Sequence, residues 1–148
     1  MDYSPDGRWL AAGRWGSDGG ATGVRLYDPA TGDVVRDLPI PADAAGTRWE
    51  AAAGRGDRVP AVRFSPDVRW LVAGTSSGRL ACWDLNDSRA RPRVWPAHAD
   101  PLWTVSFARD GRTVFSGTRN EVRSWDLAGK PAGPAVARVQ LPAPGSTS

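Results

Sequence analysis

Residues 97–127 read AHADPLWTVSFARDGRTVFSGTRNEVRSWDL, and this stretch decides the fold. Three short runs, 102–108, 113–117 and 121–127, are rich in β-branched and aromatic residues. An Arg-Asp-Gly-Arg turn signal at 109–112 separates the first two runs, and the spacing leaves no room for a helix between any of them. The pattern predicts three consecutive short β-strands.

The same unit recurs twice earlier in the chain. Residues 62–85 repeat it with Ser-Pro-Asp in the turn, and both copies end in Trp-Asp, at 83–84 and 125–126. These two pairs are 126 − 84 = 42 residues apart. An earlier copy at 3–28 carries Ser-Pro-Asp-Gly and ends in Tyr-Asp. A repeat of this length predicts an architecture built from similar stacked units.

The period, the Ser-Pro-Asp-Gly turn and the Trp-Asp ending together resemble the WD-repeat (WD-40) family, from residue 3 to about 127. The resemblance implies an all-β fold of β-propeller blades, each made of four antiparallel strands. The repeat signature falls on six residues: Trp83, Asp84, Trp125, Asp126, Asp67 and Asp110. Because each aspartate recurs once per repeat beside a turn, a turn-stabilising role is favoured over acid–base catalysis.

The repeats divide the chain into a propeller segment, 1–141, and a tail at 142–148 that is rich in Pro, Gly and Ser and is predicted to be disordered. Within the segment we expect a partial blade at 1–38, a long connecting loop at 39–58, a blade at 59–97 and a blade at 98–141.

About two and three-quarter blades make an incomplete ring, because closed propellers use about four to eight. An open stack exposes two blade faces. Three interpretations follow: a fragment of a longer WD-repeat protein, a homo-oligomer, or a complex with another chain that supplies the missing blades. Met1 lies in the middle of a repeat, and this favours the fragment.

In the family, a His, a Ser or Thr, an Asp and the repeat Trp form a buried hydrogen-bonded tetrad. By resemblance these positions are His98, Ser116, Asn120 and Trp125, with Asn in place of Asp. A buried imidazole and indole need hydrogen-bond partners, so the set is expected to be structural.

Composition excludes several classes of function. The single Cys allows no internal disulfide, which is compatible with the cytoplasm. The sequence contains no run of about 20 apolar residues, so no membrane span is predicted. Arg is dispersed along the chain, so nucleic acid is not an expected partner. Residue spacing offers no metal site, no cofactor site and no catalytic triad, and the sequence predicts no enzyme activity.

The sequence therefore predicts a non-enzymatic protein–protein interaction scaffold or regulatory module. Trp103, at the start of an inner strand, and Trp49, with Arg48 and Arg55 nearby in the long loop, are the candidate partner-binding residues. The partner is expected to be a protein. The alternative is the propeller portion of a hydrolase or peptidase, TolB-like or prolyl-peptidase-like, whose catalytic domain lies outside these residues.

Overall fold

The computed structural model describes residues 1–14, 22–41, 58–87, 91–127, 130–131 and 137–138, the last pair by backbone alone. These residues form three antiparallel sheets of four strands each. Blade 1 contains β1 (Asp2–Tyr3), β2 (Leu10–Arg14), β3 (Gly23–Tyr27) and β4 (Val34–Pro39). Blade 2 contains β5 (Ala61–Phe64), β6 (Trp70–Gly74), β7 (Arg79–Asp84) and β8 (Arg93–Pro96). Blade 3 contains β9 (Thr104–Phe107), β10 (Thr113–Gly117), β11 (Glu121–Asp126) and β12 (Ala137–Arg138).

In each blade the strands lie in chain order across the sheet, and neighbouring strands pair antiparallel. The described residues contain no helix, and the three sheets form an open stack. The prediction of an all-β fold with four-stranded antiparallel blades in an incomplete ring is confirmed.

Two hydrophobic cores hold the blades together. Between blades 1 and 2, Val24 and Leu26 pack with Leu71 and Trp83, all at most 1% exposed. Between blades 2 and 3, a second core includes Leu80 and residues of β9, β10 and β11. Blade 2 is therefore buried on both faces, which explains why its strands are apolar almost throughout instead of alternating.

The turn after the inner strand is closed by the same side chains in blades 1 and 2. Ser4 donates from Oγ to Asp6 Oδ1 at 2.6 Å, and the Trp9 N–H donates to Ser4 Oγ at 3.0 Å. Ser65 and Asp67 repeat the first contact at 2.6 Å. The hydrogen bond from the serine hydroxyl is the main reason why the pKa of each aspartate is lowered. Both carboxylates therefore stay ionised within the turn.

Blade 3 builds this turn differently because Ala108 replaces the serine. Asp110 Oδ1 accepts the N–H groups of Arg112 at 2.8 Å and Thr113 at 2.9 Å, and Oδ2 accepts the Thr113 hydroxyl at 2.9 Å. These backbone donors lower the pKa of Asp110. One carboxylate thus takes over the contacts that a serine and an aspartate share in the other blades.

Val68 is the one non-glycine residue with positive φ in the described part of the chain, at 60°. Gly7 and Gly111 occupy the same turn position in the other blades, with φ of 74° and 66°. A β-branched residue is strained there by about 2 kcal/mol. We expect Val68→Gly to raise the free energy of unfolding by about 1 kcal/mol, since the lost contact of Val68 with the first core offsets part of the relief.

Urea unfolding measures this change, and the reverse substitution is its control. A Cβ added at Gly7 would meet no atom within 4 Å, so Gly7→Val introduces mainly the backbone strain and should destabilise the protein. A Val68→Gly variant less stable than the parent would show that packing outweighs strain at this turn.

Candidate functional site

A buried hydrogen-bonded network lies at the junction of blades 2 and 3. Ser116, in β10, stands between two rings: His98 Nε2 lies 2.7 Å from Ser116 Oγ, and Trp125 Nε1 donates to the same oxygen at 2.8 Å. The His98 side chain is only 1% exposed. The structure therefore brings together three of the four residues that the sequence placed in the tetrad.

The network has one proton arrangement that satisfies every group. Trp125 Nε1–H can only donate, so Ser116 Oγ accepts this hydrogen bond. The Ser116 O–H in turn donates a hydrogen bond to Nε2 of the neutral His98. His98 Nδ1–H then points toward Glu121 Oε2, 3.4 Å away. Burial lowers the pKa of His98, although the Glu121 carboxylate acts in the opposite direction. The imidazole is thus held neutral as a structural link.

The fourth member of the network differs from the predicted Asn120. Asn120 is exposed in the turn before β11, where its N–H donates to Thr118 Oγ1 at 3.3 Å. Glu121 instead faces His98, and Arg123 Nε donates to Glu121 Oε1 at 2.8 Å. Arg123 lowers the pKa of Glu121. The two-residue period of a strand places 121, 123 and 125 on one face, and this was the signal in the sequence that could have identified both residues.

His98 should make stability depend on pH, and it is the only histidine in the chain. Its pKa is lowered from 6.5 in the folded state, so the unfolded chain binds more protons as the pH falls below neutrality. The stabilisation is present above about pH 6.5 and is lost as the pH falls through the folded-state pKa. We expect the free energy of unfolding to decrease from pH 7.5 to 5.5.

Urea unfolding at several pH values checks this dependence. In His98→Gln the decrease between pH 7.5 and 5.5 should largely disappear, although the variant should be less stable throughout. Asp67→Asn is the control, because its carboxylate titrates below this window and the slope should stay as in the parent. An unchanged slope in His98→Gln would contradict the assignment.

Blade 2 carries a different polar cluster at the corresponding end of its sheet, and sequence reasoning missed most of it. Thr75 Oγ1 lies 2.8 Å from Ser77 Oγ, and Arg79 Nε donates to Ser77 Oγ at 3.1 Å. Arg79 is buried, and its Nη1 donates to the Pro41 carbonyl oxygen at 3.2 Å. The guanidinium therefore fastens blade 2 to the chain that leaves blade 1.

The segment 98–103 crosses from blade 2 to blade 3 and is fixed at several points. His98 N–H donates to the Gly78 carbonyl at 3.0 Å, and Leu102 N–H donates to the Thr75 carbonyl at 3.1 Å. Leu102 is buried in the second core, and Trp103 N–H donates to the Gly117 carbonyl at 2.9 Å. On this anchored backbone the Trp103 residue is 62% exposed.

The remaining candidates fall into two groups. Trp49, Arg48 and Arg55 lie outside the described residues. Asp84 and Asp126 end the third strands of their blades, and each carboxylate accepts a backbone N–H of the following turn, from Asn86 at 3.0 Å and from Lys130 at 2.9 Å.

The described residues present neither a metal-binding cluster nor a membrane-spanning helix. Within them no group of three or more His, Cys, Asp or Glu side chains is arranged to hold a metal ion. The same part of the chain contains no helix with the length and apolar character that a membrane span needs.

Successive four-stranded antiparallel sheets, stacked face to face and ending the third strand in an aromatic residue and Asp, define a β-propeller repeat protein. Comparison with known proteins gives the family: the model of the WD domain, G-beta repeat, matches residues 52–84 and 90–126. The chain belongs to the WD-repeat family.

Three relatives show the extent of the similarity. Protein groucho of Drosophila melanogaster is 31% identical over 124 residues, which cover 83% of this chain and 14% of the relative. Protein RAE1 of Arabidopsis thaliana is 29% identical over 84 residues, which cover 53% of this chain and 24% of the relative. Pre-rRNA-processing protein crb3/ipi3 of Schizosaccharomyces pombe is 37% identical over 65 residues, which cover 43% of this chain and 14% of the relative. The chain thus spans no more than about a quarter of these relatives.

Proposed function

We propose that this WD-repeat chain is a non-enzymatic protein-interaction module, a scaffold or regulatory element that binds a protein partner through the rim around Trp103. One observation carries the proposal: a large aromatic side chain is 62% exposed on a backbone that hydrogen bonds and a buried neighbour hold in place. Trp is enriched at interface hot spots, and a fixed backbone reduces the entropy lost on binding.

The reactive groups that the structure describes support a binding role over catalysis. His98 is buried in the network with Ser116, and the turn aspartates are engaged by backbone N–H groups. Burial raises the pKa of the Cys82 thiol to about 12, so this cysteine is a poor nucleophile near neutral pH. The cytoplasm, where a lone thiol stays reduced, is the compartment we propose.

The family match favours this function over the hydrolase alternative, because the Trp-Asp repeats at 83–84 and 125–126 lie inside the matched segments. Trp49, with Arg48 and Arg55, is proposed as a second contact region on compositional grounds alone.

Affinity capture from an extract of the source cells, with mass spectrometry, tests the proposal. The parent chain should retain a defined protein, and Trp103→Ala should lose at least nine-tenths of it. Val34→Ala is the control, since Val34 is also half-exposed but lies at the outer edge of blade 1. Trp49→Ala in the same assay tests the second region.

Two outcomes would contradict the proposal. One is capture of no protein above the level of an unrelated β-sheet protein. The other is a partner retained equally by the parent and by Trp103→Ala, with both proteins giving the same circular dichroism spectrum, which would place the binding surface elsewhere.

A further inference from the structure

The face of blade 1 that points away from blade 2 carries a row of side chains that the other blades bury. Tyr3 pairs with Leu10 and Leu10 with Tyr27, in the same register as Phe64, Leu71 and Trp83 of blade 2. Blade 3 repeats the row as Phe107, Val114 and Trp125. We call the position of these three residues in each blade the packing row.

In blades 2 and 3 the packing row lies against the preceding blade. Phe64 is 6% exposed in the first core, and Val114 and Trp125 are buried in the second. In blade 1 no described residue covers the row: Tyr3 is 62% exposed, and Leu10 and Tyr27 are half-exposed. The row of blade 1 is therefore one half of an interface of which the chain already contains two complete examples.

The other half lies on the far face of blade 3. In blade 2 the surface that receives a packing row is formed by Val72, Leu80 and Cys82, all buried under blade 3. The register places Phe115, Val122 and Ser124 at the same positions of blade 3. Phe115 and Val122 are only half-buried there, although both are apolar.

We propose that two copies of this chain associate head to tail, the packing row of blade 1 in each copy seated on Phe115 and Val122 of the other. The same pairing of row and receiving surface occurs twice within the chain, and the reciprocal contact would repeat it twice more. Two copies of the three described blades make six, which lies within the range of about four to eight for closed propellers. The two contacts close the assembly, so no filament forms.

The charged residues on the open face of blade 1 are compatible with this contact. Arg25 Nε donates to Asp37 Oδ1 at 2.7 Å and Arg14 Nη1 donates to the same oxygen at 3.5 Å, so one carboxylate partly neutralises two arginines. Arg123 holds the equivalent register position in blade 3, pairs with Glu121, and reaches across to the Ala97 carbonyl oxygen at 3.0 Å. An internal blade interface of this chain thus already accommodates an arginine at the position of Arg25.

Light scattering on the purified chain tests the proposal through one substitution on each face. The parent should have about twice the chain mass of 15.8 kDa. Leu10→Glu on the packing row, or Phe115→Glu on the receiving surface, should give monomers. An equimolar mixture of the two variants should form a one-to-one heterodimer, because one row and one receiving surface remain intact. Ala30→Glu, in the exposed turn between β3 and β4, is the control and should stay dimeric.

A milder substitution keeps the test valid if a buried charge unfolds the chain. Tyr3→Ala removes a side chain that is exposed in the single copy, so it should leave the fold intact and raise the dimer Kd at least tenfold. A parent that stays monomeric with a folded β spectrum would overturn the proposal. So would a dimer indifferent to all three substitutions, or an aggregate of undefined size, which would show that the two faces form no specific contact between copies.

Discussion

Replacing Gly78 with alanine should cost on the order of 3 kcal/mol of folding free energy, since it combines backbone strain with a clash. Gly78 has φ of 83°, and its carbonyl oxygen accepts the N–H groups of Ala97 and His98. A Cβ here would contact the His98 carbonyl oxygen and would lie 2.8 Å from that of Asp100. These are backbone atoms, so the whole segment between blades 2 and 3 would have to move.

Urea unfolding of Gly78→Ala and Gly111→Ala separates the two contributions. Gly111 has a similar φ of 66°, but the nearest atom to a Cβ added there would be Pro66 Cδ at 3.8 Å. We therefore expect Gly111→Ala to lose only about 1 kcal/mol, the cost of the left-handed conformation. Equal losses of folding free energy in the two variants would mean that the clash with the 97–100 segment does not destabilise Gly78→Ala.

Replacing Ser116 with alanine should also cost about 3 kcal/mol, because one hydroxyl serves two buried rings. Without Ser116 Oγ, Trp125 Nε1 loses its acceptor and His98 Nε2 loses its donor, and both lie in the second core or beside it. Each unsatisfied buried group costs about 1–3 kcal/mol. The free energy of unfolding from urea titration measures the loss.

Ser106→Ala is the matched control, because Ser106 lies on the neighbouring strand with its side chain exposed. It should change stability by less than about 0.5 kcal/mol. A double-mutant cycle of Ser116→Ala with His98→Gln should show strong coupling, since the second substitution breaks a contact that the first already removed. Additive effects of the two substitutions would contradict a shared network.

Some residues of the candidate site could be predicted from the sequence and others could not. His98, Ser116 and Trp125 were found because their repeat positions are visible in the sequence, although contacts such as His98 with Ser116 join residues 18 positions apart. The fourth member of the tetrad was placed at Asn120, whereas Glu121 faces His98 in the structure, because the start of β11 decides which residue turns inward. The Arg79 cluster was missed because its partner, the Pro41 carbonyl, lies 38 residues away.

The sequence by itself determined the strands, their turns and the blade repeat, because alternation, turn residues and the Trp-Asp ending are local features. It identified the Asp-containing turn in all three copies. Only the tertiary structure decided which faces are covered. Phe64 and Tyr3 hold the same position in their repeats, yet one is buried and the other is exposed. The physical reason is that burial depends on which sheet lies opposite, and the stacking of whole blades sets this.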